Sequence, residues 1–135
     1  MLDDNAFNPQ CSSQTPGADI SAATGQVNCY YGCHDDVLGF AFLDGWRCEL
    51  GKDGPYSYNE PLTANFVGLD CSAVVNAVNE HRCQAPQTHT AYFYIPETQM
   101  DMAAALPGQA TSFRRQMPGT TQGFALADRP AGNAQ

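Results

Sequence analysis

Residues 28–50, NCYYGCHDDVLGFAFLDGWRCEL, carry three of the six cysteines, the single tryptophan and the strongest strand signal in the chain. The stretch opens with Cys29, Cys33 and His34, runs through the apolar residues 37–43 to Asp44-Gly45, and leaves through Trp46 to Leu50. An Asp-Gly pair between two apolar runs signals a tight hairpin, because both turn residues tolerate positive φ. The expectation is a β-hairpin over residues 37–50, with Cys33 before its first strand and Cys48 on its second. Function turns on whether those cysteines hold one another, a metal or a haem.

Length and charge set the outer bounds. At 135 residues the chain suits one domain, the usual size being roughly 100–150 residues. Fourteen acids face six bases, for a net charge of −8 with Lys52 the single lysine. That balance argues against nucleic acid as a partner, since phosphate binding needs a basic stripe, and it disfavours anionic membranes. No apolar run approaches the roughly 20 residues of a bilayer span.

An even set of cysteines, Cys11, Cys29, Cys33, Cys48, Cys71 and Cys83, predicts three disulfides in an oxidising compartment, with the pairing left open by the spacing. Met1-Leu2-Asp3-Asp4-Asn5 has neither a basic n-region nor an apolar h-region, so no secretory signal is read there. The expected location is extracellular, virion or periplasmic, reached after signal removal or by release on lysis. A reducing cytosol would make the same cysteines thiols or metal ligands.

In order along the chain, residues 1–25 are polar and read as an N-terminal arm. After the hairpin and the turn cluster of residues 51–55, Phe66 and Val67 suggest a short strand. Asp70 is positioned to cap a helix from Cys71 to about Arg82, whose apolar face is Cys71, Val74, Val75 and Val78. Residues 91–95, AYFYI, read as a strand stopped by Pro96, with Ala91, Phe93 and Ile95 on one side. Thr98 is read as the cap of a helix over residues 99–106 closed by Pro107-Gly108. Residues 107–135, broken by Pro118 and Pro130, read as a C-terminal arm, which leaves residues 26–106 as the compact core. The expected fold class is α+β, β-rich: a small disulfide-stapled domain with a central hairpin, one main helix and extended arms.

Several constellations could carry chemistry. Cys29, Cys33 and His34 form a C-x3-C-H run that resembles the longer variant of the c-type haem attachment motif in some multihaem cytochromes. The resemblance implies haem thioethers at Cys29 and Cys33 and iron ligation by His34, with a sixth ligand from His81, His89, Met100, Met102 or Met117. Residues 68–75, GLDCSAVV, resemble the nucleophile segment of NlpC/P60-type cysteine peptidases, which implies a thiolate at Cys71 favoured by the helix N-terminus. The spacing to His89 does not fit that family, so a half-buried disulfide at Cys71 competes with it. Zinc or an iron–sulfur cluster on Cys29, Cys33, Cys48 and one of Cys71 or Cys83 would need a reducing compartment. His34-Asp35-Asp36 resembles the His-Asp pair of secreted phospholipases A2, but here it precedes a strand signal rather than lying on a long helix.

With no convincing catalytic set, the expectation is a structural or interaction subunit of a larger extracellular assembly, such as a virion decoration or tail component or a surface filament. It would use protein partners as a homo- or hetero-oligomer and no cofactor. The alternative is an electron-transfer protein with c-type haem at Cys29, Cys33 and His34.

Overall fold

Phe66–Asp70 is bonded on both edges and covered on both faces, and the other elements are placed by it. The computed structural model describes residues 16–33, 35, 50–55, 62–75 and 88–127. In chain order the elements are α1 (Pro16–Ala23), β1 (Val27–Tyr31), α2 (Leu50–Asp53), β2 (Phe66–Asp70), a 3-10 helix (Thr88–Phe93), α3 (Pro96–Ala105), β3 (Arg114–Gln116) and β4 (Gly123–Leu126). Residues 72–75 are also helical. Among the described residues the fold is therefore mixed α+β, built on a four-stranded sheet.

The sheet runs β1-β2-β4-β3, with β1, β2 and β4 parallel and β3 antiparallel to β4. Register pairs Val27 with Phe66, Tyr30 with Leu69, Leu69 with Phe124 and Arg114 with Leu126. Side chains alternate across a strand, so two cores form. Leu69 and Leu126, with Tyr30, Val67 and Phe124 beside them, pack against Val74, Val75, Ala91, Ile95 and Phe113. Phe66, with Val27 and Cys29 beside it, packs against Leu50 and Leu62. A near-continuous apolar run such as FVGL is what a parallel strand buried on both faces requires.

Asp70 caps as expected. Its Oδ1 accepts the Ser72 N–H at 2.8 Å, and the Val75 N–H donates to the Cys71 carbonyl at 2.9 Å, closing the first turn. Cys71, Val74 and Val75 are buried, as the apolar face predicted; the rest of that helix lies outside the described residues, as does the hairpin of residues 37–49. Leu50, expected on the hairpin's second strand, opens α2 instead.

Three other expectations are corrected. The segment AYFYI is not a strand but the end of the 3-10 helix and the turn before α3. Its burial has a four-residue period, Ala91 and Ile95 being inside while Phe93 and Tyr94 are 66% and 52% exposed. Helix α3 starts at Pro96 rather than after a Thr98 cap; Pro suits the first helical position because its missing N–H has no intrahelical partner there. Residues 107–127 are not an arm: they supply β3 and the inner strand β4, with Leu126 fully buried. On the N-terminal side, residues 16–23 form α1, tied down by the Ser21 Oγ to Thr63 Oγ1 bond of 2.8 Å and by Asn65 Nδ2, which donates to the Ser21 and Thr24 carbonyls.

Candidate functional site

Helix α3 turns polar residues inward. Thr98 and Asp101, three positions apart and so on one helical face, have no exposed surface, whereas Met100 is 46% exposed and Leu106, just past the end, 89%. Thr98 satisfies its hydroxyl locally by donating to the Ile95 carbonyl at 3.0 Å. Asp101 reaches further, to three other segments.

Asp101 Oδ1 accepts the Thr111 hydroxyl and Arg114 Nε, the latter at 2.8 Å. Its Oδ2 accepts the Tyr30 hydroxyl at 2.8 Å and Arg114 Nη2 at 2.9 Å. The same Nη2 donates to Asn28 Oδ1 at 3.3 Å. Tyr30 and Asn28 share one face of β1, and the register Arg114↔Leu126 puts Arg114 on the same side of the sheet. The pair is bidentate and nearly dry, the Arg114 side chain being 5% exposed. Such fork-on-carboxylate geometry is the strongest form of the contact.

Burial works against Asp101 as an anion, but the donors Arg114, Thr111 and Tyr30 outweigh it and hold its carboxyl below the usual carboxylate range. For Arg114 burial likewise disfavours the charge, and the bonds to Asp101 more than restore it. Tyr30 is pushed upward, first by burial and then by its bond to Asp101, so it keeps its proton as the donor. A carboxylate whose oxygens already accept four hydrogen bonds is a poor general base. The cluster acts as a clasp joining α3, β1, β3 and the intervening loop.

Beside the clasp lies a cleft of about 700 Å³ lined by Gly25, Gln26, Asn28 and Tyr30 from the β1 side and by Met102, Ala105, Leu106 and Gly108 from the end of α3. Its walls carry no ionised side chain. At the opposite end of β1, Gly32 is pressed against the Tyr92 hydroxyl, which would lie 2.7 Å from any Cβ there, and Asp35 is buried nearby.

The cysteines take separate places. Cys29 is half-buried on β1, its Sγ 3.9 Å from the Leu50 carbonyl, and burial pushes its thiol up to about 12. Cys33 is exposed just past β1, its backbone N–H donating to Ser72 Oγ at 3.0 Å. Cys71 is fully buried; burial first, then the Asp70 charge, raises its thiol. Burial thus works against the activated thiolate that the peptidase resemblance implies, and the helix N-terminus does not offset the loss of water.

All three thiols are free, so the disulfide staple is not found among the described residues. Cys29 packs with Phe66 and Leu50, whereas Cys71 packs with Leu69 and Val74. Cys11, His34, Cys48, His81 and Cys83 lie outside the described residues. His89 falls in the 3-10 helix, and Met117 Sδ accepts the Tyr31 hydroxyl at 3.8 Å. Among the described residues no group of three His, Cys, Asp or Glu side chains could hold a metal ion, and no helix is long and apolar enough to cross a membrane.

No protein-family model, no curated protein and no solved structure matches the chain. Asp101, Thr111 and Arg114 were not singled out from the sequence. The available signal was a lone acid in an otherwise apolar run, MDMAAAL, spaced i, i+3 from Thr98.

Proposed function

We propose that the chain is a structural or interaction subunit of a larger extracellular assembly, such as a virion decoration or tail component or a surface filament. The inverted polarity of α3 carries this reading. A helix of a self-sufficient domain buries its apolar side chains and exposes its polar ones; α3 buries Thr98 and Asp101 and leaves Met100 exposed, with Phe93 and Tyr94 before it and Leu106 after it also exposed. Large apolar groups kept in water around a rigid, clasped helix are what a partner surface supplies, aromatic residues and Met being enriched in interfaces. The clasp fixes α3 to the sheet, so the exposed set is presented without an ordering cost on binding.

The test is sedimentation velocity over a wide concentration range on the full chain, on Phe93→Ser and on Met100→Glu. Association that either substitution weakens is expected; monomer at every concentration, unchanged by both, overturns the reading. An absorption spectrum of the same sample decides the haem alternative, since a Soret band with haem mass on the chain would assign Cys29, Cys33 and His34 to that cofactor.

A further inference from the structure

Resting on the interaction reading for the existence of a partner, we propose that the cleft between β1 and the end of α3 takes a basic, extended peptide segment of a partner protein, added to the sheet beside β1.

Among the described residues strand β1 is an edge, and just beyond it the Gly32 N–H donates to the Gly51 carbonyl of α2. The Val27 N–H donates to the Asn65 carbonyl and the Tyr31 carbonyl accepts the Cys71 N–H. These bonds turn residues 27, 29 and 31 toward β2, so the alternation of a parallel ladder turns the N–H and C=O of Asn28 and Tyr30 outward. Natural edges are blunted by charge, proline or a bulge; VNCYY has neither a charged residue nor a proline. The outward residues, Asn28 and Tyr30, are the same two that line the cleft.

Charge selects the partner. The cleft's far wall is the C-terminal end of α3, the negative end of the helix dipole, and the last turn has no basic residue. The Ala104 and Ala105 carbonyls are taken by the Gln109 and Gly108 N–H groups, but Pro107 offers no N–H to the Ala103 carbonyl four residues back. The whole chain adds a net −8. A second copy would bring the same acid excess to the same edge. An incoming strand with alternate side chains can set an apolar group on Tyr30, Met102 and Leu106 while a neighbouring cation faces the helix end.

The probes are two blocked six-residue peptides, alternating Arg-Val and alternating Glu-Val, titrated into isotope-labelled full chain and followed at the Asn28 and Tyr30 amides. The Arg-Val peptide is expected to shift both amides in a saturable way and the Glu-Val peptide to bind at least about threefold more weakly. Leu106→Lys, at a fully solvated position where a cation suits the helix end, should retain the fold and weaken the Arg-Val peptide by about threefold or more. No binding, equal binding of both peptides, or an unaffected Leu106→Lys variant would each overturn the proposal. So would shifts at those amides on concentrating the chain alone, which would give the edge to a second copy. The interaction reading fails separately, through the Phe93 and Met100 variants, neither of which lines the cleft.

Discussion

Asp101 is tolerated with no exposed surface because every donor around it is paid out to its two oxygens, and removing one partner strands the other. Asp101→Asn keeps the shape but leaves the Arg114 guanidinium buried without its counter-charge, a change expected to cost about 3–5 kcal/mol. Urea unfolding of Asp101→Asn, Asp101→Leu, Arg114→Met and the Asp101→Leu/Arg114→Met double variant checks it: the double variant should lose less than the sum of Asp101→Leu and Arg114→Met, because no lone charge remains. The clasp also predicts a pH dependence. The folded carboxyl of Asp101 titrates below its unfolded value, ordinarily about 3.9. Its contribution is therefore complete at neutral pH and is lost as pH falls below about 3.9 toward the folded value, and Asp101→Asn should flatten that acid limb of the urea midpoint. Cys29 acts at the other end of the scale. Its thiol is raised from 9.0 to about 12, so the unfolded chain releases that proton first and stability declines as pH rises through this interval. Among the described cysteines, alkylation followed by peptide mapping should find Cys33 modified before Cys71, which reacts only on unfolding, since the one is exposed and the other buried.

At the scale of the element, what the sequence shows well is what depends on neighbours along the chain. Asp70 before Cys71, Val74 and Val75 reads correctly because capping and a helical stripe are local, and Pro107-Gly108 correctly closes α3, Gly108 taking φ +77° and donating to the Ala105 carbonyl. The segment AYFYI misleads because aromatic and β-branched residues favour a strand only where a sheet is there to receive them; here the sheet is filled by β4, and the segment buries Ala91 and Ile95 one helical turn apart. The clasp is illegible for a related reason: its members come from β1, α3, the loop at Thr111 and β3, and only the register of a non-local sheet brings them together. Two glycines separate local backbone strain from packing. Gly108→Ala meets nothing within 4 Å and should cost only the left-handed backbone penalty, about 1 kcal/mol. Gly54→Ala, at φ +73°, also drives its Cβ to 2.7 Å from the Tyr31 ring, so thermal unfolding should rank it clearly below Gly108→Ala.

For the whole molecule, the decisive fact is that the strand between β2 and β3 comes from the part of the chain that composition marks as a tail. Short apolar anchors such as Phe113, Phe124 and Leu126, separated by prolines and glycines, cannot fold alone and so read as an arm; in the core formed on the sheet each gains a neighbour that the sequence places far away. A chain ending at residue 106 would therefore lose more than two strands. It would open the β4 edge of β2, uncover Leu69, and remove Arg114 and Thr111 from Asp101, leaving an unpaired carboxylate against the core. Sheet closure and charge pairing fail together, so the truncated chain should show no cooperative urea transition and an expanded sedimentation profile. Leu126→Ala isolates the packing part, since it keeps every strand and the clasp while removing a fully buried side chain, with an expected loss of about 2–5 kcal/mol. If the truncated chain unfolded as cooperatively as the full one, and Leu126→Ala unfolded at the same urea concentration as the parent, residues 107–127 would be an appendage and the sheet order β1-β2-β4-β3 would be wrong.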